Sequence, residues 1–274
     1  MALAEDIGSG DITSEYFVPA DRLARAFVTA RKGGIVSGVT VAAQVFATVD
    51  PALDVEILIE DGSRVSEGAF LIKVAGSARS ILTAERTALN FLQRLSGVAS
   101  LTAIYVEQTK GTIARILDTR KTTPGYRLLE KQAVADGGGC NHRLGLYDRA
   151  MVKDNHLVTN GKIAALQDAI TRLIAERPGI EVELEADRIE QVQEFLKLTG
   201  VDYILLDNMS LTELREAVAL RGENHHPKFE ASGGITLETL SRVAETGVDF
   251  ISVGALTHSA PALDIGLDFN PQDS

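Results

Sequence analysis

The chain has 274 residues, of which 45% are hydrophobic and 24% charged, a composition typical of a globular protein with one or two domains. Its formal net charge of -11 argues against a general nucleic-acid binder, because such proteins present a dominant basic face. The single cysteine, Cys140, allows no intrachain disulfide, so we expect a reducing, cytoplasmic location. No apolar run approaches the roughly 20 residues of a membrane helix, and the acidic, glycine-rich start is unlike a secretory signal or transit peptide.

The first part of the chain is predicted to alternate short strands with turns. Strand-like patterns cover residues 24–30, 54–59 and 70–74. Leucine and alanine then recur at helical spacing, which predicts a helix over residues 83–95 that Gly97 ends or bends. Because the pattern changes there, we place a first domain at residues 1–97.

The second part, residues 98–257, is predicted to alternate strands with amphipathic helices. The predicted strands are residues 113–117, 150–152, 182–184, 203–206, 228–231 and 250–253. The predicted helices are residues 162–176, 189–198, 211–220 and 237–245. Such alternation indicates parallel βαβ units. The last residues, 270–274, are expected to fray.

Polar and glycine residues recur where the predicted strands of the second part end. They are Asp118, Lys153, Asp154, Glu183, Glu185, Asp207, Asn208, Ser232, Gly233, Gly234 and Gly254. In a β/α barrel this rim is the active-site face, whereas a doubly wound sheet would gather such residues at one crevice. Their spread over all the strand ends favours an α/β fold with an open, TIM-like β/α barrel.

One basic segment, residues 118–156, stands out in this acidic chain. It contains Arg120, Lys121, Arg127, Lys131, His142, Arg143, Arg149 and Lys153. Pro124-Gly125 and the run Gly137–Gly139 divide it, which predicts glycine-rich loops. Because gathering cations costs repulsion and desolvation unless an anion offsets it, the segment predicts a pocket for a small polyanion.

Two glycine-containing stretches, Ser232–Gly234 and the one at Gly254, predict phosphate-binding loops at the last strands of the barrel. An isolated Ser-Gly-Gly is equally typical of a tight turn. Glu183, Glu185 and Asp207 oppose the cations, which suits Mg²⁺ or sugar hydroxyls. Alternation puts both glutamates on one side of the strand, so the pattern does not choose between them.

Among the other reactive residues, Cys140 is a weak candidate nucleophile, because no fixed Cys–His pair accompanies it. His142 is better suited to contact an anion as a donor than to act as a general base. The inventory therefore favours electrostatic catalysis over a nucleophilic triad.

Motifs along nearly the whole chain resemble those of the quinolinate phosphoribosyltransferase family. They are EDIGSGDIT (5–13), AERTALNFLQRLSGVAS (84–100), DTRKTTPG (118–125), GGGCNHRLGL (137–146), VKDNH (152–156), EVELE (181–185), LLDNMS (205–210), EASGGIT (230–236) and ISVGALTHS (251–259). The resemblance implies an N-terminal α/β sandwich, an open barrel and a C-terminal tail, residues 258–274, that returns to the sandwich. Members of the family usually carry more residues ahead of the first motif.

The resemblance also implies an activity and assigns roles to single residues. Members join quinolinate to phosphoribosyl pyrophosphate with Mg²⁺ and release pyrophosphate and carbon dioxide, which yields nicotinate mononucleotide for NAD biosynthesis. The implied ligands of the quinolinate carboxylates and phosphate groups are Thr119, Arg120, Lys121, His142, Arg143 and Lys153. The implied ribose and Mg²⁺ residues are Glu183 and Asp207, and the implied 5′-phosphate loops are Ser232, Gly233, Gly234, Val253, Gly254 and Ala255. Lys121, Lys153, Glu183 and Asp207 are the implied catalytic groups, and Arg86 is implied to reach the partner's site in a homodimer or larger homo-oligomer.

Two other functions remain open at this stage. A related phosphoribosyltransferase for another heterocyclic acid would keep the phosphate loops but differ around Arg120 and Arg143. A non-catalytic phosphometabolite-binding protein is the other, since residues 62–76 resemble a lipoyl-type hairpin, although no lysine lies at a convincing tip. The intact Arg120 and Arg143 favour quinolinate.

Overall fold

The computed structural model describes residues 1–153 and 163–269. The predictions made for Asp154, for the rest of the VKDNH motif, for position 162 and for the tail 270–274 lie outside the described residues. The chain divides into two compact units. The first contains Met1–Ala103, Leu129–Gly138 and the segment from Ser259 onward, and the second contains Ile104–Leu128 and Gly139–His258.

Helices and strands are numbered in chain order. The helices are α1 (Ala2–Ile7), α2 (Ile12–Phe17), α3 (Val39–Val49), α4 (Ala78–Glu107), α5 (Arg127–Asp136), α6 (Ile163–Glu176), α7 (Ile189–Phe195), α8 (Leu211–Arg221), α9 (Leu237–Ala244) and α10 (Ala255–His258). The strands are β1 (Leu23–Ala30), β2 (Gly34–Ile35), β3 (Asp54–Ile57), β4 (Arg64–Val65), β5 (Phe70–Ser77), β6 (Arg115–Leu117), β7 (Arg149–Val152), β8 (Glu181–Ala186), β9 (Tyr203–Asp207), β10 (Lys228–Ser232), β11 (Phe250–Ser252) and β12 (Ile265–Phe269).

The first unit is built on an antiparallel sheet with strand order β12-β1-β5-β3. Ala26 of β1 lies opposite Phe269 of β12, so the end of the described chain returns to the N-terminal sheet. Alternate residues of the central strands, such as Val28 and Val74, are fully buried with Phe46 of α3 and Leu92 of α4. Burial of these apolar side chains is the main force that holds the helices to the sheet.

Helix α4 differs from the helix predicted over residues 83–95. It starts at Ala78, runs to Glu107 and continues through Gly97, so the prediction that Gly97 ends the helix is wrong, and the alternative of a bend there stays a prediction. A Cβ atom at Gly97 would lie 2.1 Å from the carbonyl oxygen of Pro261, so the glycine lets the returning chain pass against the helix. The boundary predicted between residues 97 and 98 falls inside this helix. Neither α4 nor any other described helix combines the length and apolar character that crossing a membrane requires.

The second unit is an open β/α barrel, as the sequence predicted. Its parallel strands follow the order β6-β11-β10-β9-β8-β7. All the strands predicted for this part occur, within two residues of their predicted ends. Ser232 at the end of β10 lies opposite Asp207 at the end of β9, and Ser252 of β11 lies opposite Leu117 of β6. The strands therefore end at one edge, and the residues that follow them meet there.

Part of the segment predicted as glycine-rich loops is helical. Residues 127–136 form α5, whose Ala133 and Val134 are fully buried. The abundance of charge in this stretch hides the apolar residues that face the core.

A buried ion cluster joins the amino-terminal ends of the barrel strands. Asp249 accepts a hydrogen bond from the Phe229 amide at 2.9 Å, pairs with the Arg221 guanidinium, and lies 3.1 Å from the Lys228 ammonium. The Arg221 side chain is 2% exposed and lies over the Phe229 ring, 4.6 Å from its centre. Burial alone would raise the pKa of Asp249, but these donors lower it, so the carboxylate stays charged.

Replacing Asp249 with alanine is expected to lower the free energy of unfolding by about 3–5 kcal/mol, because the variant leaves the buried Arg221 charge without its carboxylate. Lys228→Ala is the matched control: Lys228 is the exposed partner of the same carboxylate, and its loss should cost less than about 1 kcal/mol. Urea unfolding followed by circular dichroism measures both. Equal losses in the two variants would contradict the analysis.

Candidate active site

A cavity of about 740 Å³ lies at the carboxyl-terminal ends of the barrel strands. Most of the predicted site residues line it, and they come from loops after several different strands. They are Thr119, Arg120, Lys121, His142, Arg143, Lys153, Asp207, Ser232, Gly233, Gly234, Val253, Gly254 and Ala255. Arg86, Glu183 and the other candidate glutamate, Glu185, do not line it.

The chain around Cys140 is attached to the edge of β6, which brings His142 and Arg143 to the cavity. Cys140 forms a parallel bridge with Leu117, and its amide donates to the carbonyl of Ile116 at 2.8 Å. The buried carboxylate of Asp118 then accepts a hydrogen bond from the His142 amide at 2.8 Å. Asp118 therefore positions the consecutive residues His142 and Arg143, called the His-Arg pair below, rather than binding a ligand.

The cations of the cavity are held close together. Arg143 donates to the carbonyl of Arg149 at 3.3 Å, and burial together with the charge of Arg120 lowers the pKa of Arg143. Nε of Arg120 is buried and has no hydrogen-bond partner within the described chain. Lys153 forms an ion pair with Glu185. Two neighbouring guanidinium groups, with the Nε donor of Arg120 unused, suit a multiply charged anion.

Other cations of the basic segment do not face the cavity. The Arg127 guanidinium donates to the carbonyl of Leu144 at 3.0 Å, Lys131 is buried on α5, and Arg149 pairs with Glu181 at 2.7 Å. These residues stabilise the fold, so part of the predicted cationic cluster is structural.

The backbone conformation requires glycine at Gly233, and at Gly254 a side chain would displace that of Lys121. Gly233 has a φ of +91°, and a Cβ atom there would lie 2.2 Å from Oδ1 of Asn208. A Cβ atom at Gly254 would lie 2.9 Å from Cδ of Lys121. The glycines therefore let the backbone of the two loops form part of the cavity wall, with the Lys121 side chain packed against Gly254.

The three predicted carboxylates occupy different positions. Asp207 lines the cavity, and its Oδ2 accepts a hydrogen bond from the Asn208 amide group at 2.9 Å. Glu185 pairs with Lys153. Glu183 is fully buried behind the cavity, with its Oε2 3.2 Å from Nε2 of His142.

Glu183 belongs to a buried cluster that the sequence did not reveal. Oε2 of Glu230 lies 3.4 Å from Nε2 of His142, and Ser252 donates to the other oxygen of Glu230. Nη1 of Arg149 lies 3.6 Å from Oε2 of Glu183. A glutamate between Phe229 and Ala231, in the strand predicted over residues 228–231, was the available signal, because a charged group inside a covered strand must be partnered.

His142 keeps its proton at neutral pH within the cluster that it forms with Glu183 and Glu230. Burial alone would lower the pKa of His142, but hydrogen bonds to Glu183 and Glu230 raise it to about 9. The amide of Arg143 lies 2.6 Å from Nδ1, a contact that favours the neutral ring, yet two carboxylates in a buried site outweigh one amide. Burial and the charge of Glu183 raise the pKa of Glu230, whereas His142 and Arg149 lower that of Glu183 against its own burial.

Arg86 lies on α4 in the first unit. Its side chain is 59% exposed and lines a hollow of about 310 Å³ together with Asp11 and Ile12. The guanidinium lies 4.0 Å from Glu85.

Two known protein families match consecutive parts of the chain. The family described as quinolinate phosphoribosyl transferase, N-terminal domain, matches residues 11–96, and the corresponding C-terminal domain matches residues 98–268. Quinolinate phosphoribosyltransferase [decarboxylating] 2, mitochondrial, of Nicotiana glauca is 43% identical over 99% of this chain and 81% of its own length. Nicotinate-nucleotide pyrophosphorylase [carboxylating] of Mycobacterium leprae is 43% identical over 97% of this chain and 94% of its own length.

Solved structures of similar proteins share the whole fold. The crystal structure of NadC from Streptococcus pyogenes aligns with a TM-score of 0.90 at 40% identity, over 98% of this chain and 95% of that chain. The nicotinate-nucleotide pyrophosphorylase from Francisella tularensis aligns with the same TM-score at 36% identity, over 98% and 93%. With both domains matched in order, the chain belongs to the quinolinate phosphoribosyltransferase family.

Proposed function

We propose that the protein transfers the phosphoribosyl group of phosphoribosyl pyrophosphate to quinolinate and releases pyrophosphate and carbon dioxide, forming nicotinate mononucleotide for NAD biosynthesis. One observation carries the proposal: a cavity with paired guanidinium groups and two glycine loops, in a chain whose relatives bear the name of this activity.

The acceptor is proposed to bind through its two carboxylates. Arg120 and Arg143 both line the cavity, and a guanidinium binds a carboxylate through two parallel hydrogen bonds. A heterocyclic acid with one carboxylate would leave one of these partly buried cations uncompensated. The arginine pair therefore favours a diacid such as quinolinate.

The phosphates are proposed to bind at the glycine loops and the lysines. The loops Ser232–Gly234 and Val253–Ala255 are suited to the 5′-phosphate, because their backbones line the cavity without side chains between. Lys121 and Lys153 supply positive charge for the pyrophosphate, and Thr119 lines the same wall.

Mg²⁺ fits one side of the cavity. Mg²⁺ is commonly held by one or two carboxylates together with substrate phosphates, and Asp207 offers a carboxylate on the cavity wall. Both oxygens of Glu183 are buried beside His142 and Arg149, so we base the metal proposal on Asp207 alone. When bound, Mg²⁺ would neutralise charge on the phosphates.

The chemistry needs no enzyme nucleophile. The quinolinate nitrogen attacks C1 of the ribose while the bond to pyrophosphate breaks, so positive charge builds on the ribose and negative charge on the leaving group. Asp207 stabilises the positive charge on the ribose, and Lys121 and Lys153 stabilise the negative charge on the leaving pyrophosphate. The arginine pair orients the ring nitrogen towards C1. The carboxylate next to the quaternised nitrogen then leaves as carbon dioxide.

A homodimer is proposed in which Arg86 reaches the partner's cavity. Arg86 is largely exposed, and the neighbouring helix α2 leaves Tyr16 79% and Phe17 82% exposed. Exposed apolar side chains of this size are typical of an interface. Cytoplasmic location stays a prediction, since plant relatives carry mitochondrial or chloroplastic names.

The direct test is to incubate the protein with quinolinate, phosphoribosyl pyrophosphate and Mg²⁺. Carbon dioxide and nicotinate mononucleotide are expected in equal amounts. Tight binding of the phosphoribosyl donor without turnover would reject quinolinate as the acceptor.

Lys153→Ala is expected to abolish turnover in this assay with the fold intact, because the variant removes a cation that faces the substrate's negative charge. Lys197→Ala is the matched control, since Lys197 pairs with Glu194 at the surface. Circular dichroism verifies folding. Near-normal activity of Lys153→Ala would reject the assignment.

Arg86→Ala is expected to be inactive alone and to regain activity when mixed with Lys153→Ala. In a twofold-symmetric dimer, random mixing gives about a quarter of the wild-type activity, because each mixed dimer keeps one intact site. Mixing Lys121→Ala with Lys153→Ala is the control and should restore nothing, since both residues belong to one subunit's cavity. No recovery with Arg86→Ala would contradict a shared site.

A further inference from the structure

Asn208 lines the cavity directly after β9 and has an unusual backbone conformation. Its φ is +55°, in the left-handed region that residues with a side chain rarely adopt. Among the residues that the structure describes, Asn208 and His225 are the non-glycine residues with positive φ, and His225 lies in an exposed segment ahead of β10. Such a conformation persists where the surroundings hold it, often at functional sites. The contacts of Asn208 therefore indicate what the conformation serves.

The backbone of Asn208 is bonded to the neighbouring strand. Asp207 lies opposite Ser232 in the pairing of β9 with β10, and the Asn208 amide donates to the Ser232 carbonyl at 2.9 Å. The left-handed φ then turns the chain towards α8, which Ser210 caps. None of these backbone contacts requires the side chain of Asn208, because glycine is able to make them as well.

The side chain of Asn208 lies between Asp207 and the loop Ser232–Gly234. Nδ2 donates to Oδ2 of Asp207 at 2.9 Å, and this bond fixes the orientation of the amide group, because a carboxylate accepts hydrogen bonds and repels an amide oxygen. Oδ1 faces Gly233, where an added Cβ atom would lie 2.2 Å from Oδ1 and 2.6 Å from Cγ. The carboxamide of Asn208 therefore occupies the space that a side chain at Gly233 would fill.

The proposed function, on which this inference rests, gives the carboxamide a role. Asp207 is proposed to face the ribose, and the loop Ser232–Gly234 is proposed to hold the 5′-phosphate. Both groups belong to one phosphoribosyl unit, so the distance between the carboxylate and the loop has to match that unit. We propose that Asn208 is a positioning residue that sets this distance, with its carboxamide as the spacer between the Asp207 carboxylate and Gly233.

Asn208→Gly separates this role from a purely conformational one. Glycine adopts positive φ without strain and keeps the amide that bonds Ser232, so the fold should be retained. The variant loses a hydrogen bond to a charged group, and the single-turnover rate with limiting phosphoribosyl pyrophosphate is expected to fall by about tenfold or more. The KM for quinolinate should stay that of wild type, because the proposed acceptor ligands, Arg120 and Arg143, are unchanged.

Asn208→Asp tests whether donation to Asp207 is what matters. Aspartate has nearly the same shape and tolerates the left-handed conformation, but it replaces the donor with a second carboxylate that repels Asp207. Its loss of rate should be at least as large as that of Asn208→Gly. His225→Gly is the matched control, since it makes the same replacement at a positive φ away from the cavity lining, and its rate should be that of wild type. Circular dichroism verifies folding.

A double-mutant cycle tests whether Asn208 acts through Asp207. Asp207→Asn is expected to slow the reaction by itself, because the variant removes the carboxylate from the ribose. Adding Asn208→Gly to Asp207→Asn should then cost much less than Asn208→Gly costs in wild type, since residues in contact that act together have non-additive effects. Excess enzyme in single-turnover conditions keeps the rates of slow variants measurable.

A wild-type rate in folded Asn208→Gly overturns the inference, because the residue would then only turn the chain. A wild-type rate in Asn208→Asp, or losses that simply multiply in the double variant, also overturns it, because the side chain would then not act through Asp207. If wild type itself makes no nicotinate mononucleotide, the proposed function fails instead, so the two failures are distinguishable.

Discussion

Repulsion between Arg120 and Arg143 is the constraint to which the rest of the barrel rim is adapted. The two guanidinium groups are partly buried, and burial together with the charge of Arg120 lowers the pKa of Arg143. The protein maintains them through the backbone: the bridge between Cys140 and Leu117 and the buried carboxylate of Asp118 fix the His-Arg pair in place. A site organised this way is ready for an anion before the anion arrives, so binding costs little rearrangement.

In the interior of the barrel the costly charges are buried carboxylates rather than guanidinium groups. Charged groups occur behind the cavity as well as within it, and each has a compensating partner. Glu183 has Arg149 and His142, and Asp249 at the other end of the strands has Arg221. Parallel strands with both faces covered are usually apolar, so such charges are costly unless they are paired. The barrel therefore carries polar clusters at both ends of its strands.

The sequence predicted the barrel well because its strands are short apolar runs followed by polar residues, a local pattern. It predicted most of the cavity for the same reason, since Lys153, Asp207 and Ser232 directly follow strands. It failed where long-range packing decides. Gly97 lies inside helix α4, and its lack of a side chain serves the packing of Pro261 rather than a helix end. Helix α5 was not predicted because the charged residues of its sequence do not reveal which face of the helix is buried. Glu230 was missed because its partners, His142 and Ser252, are far away along the chain.

The pairing of β1 with β12 has a consequence for synthesis of the protein. Ala26 meets Phe269, so β1 can pair with β5 early but receives β12 only after all the barrel strands have been translated. Until then one edge of β1 has unpaired amide and carbonyl groups, an arrangement prone to pairing with other chains. The barrel strands all lie between these two, and their contacts are more local, so the barrel is able to form first. The N-terminal unit, although translated first, is the part of the molecule completed last.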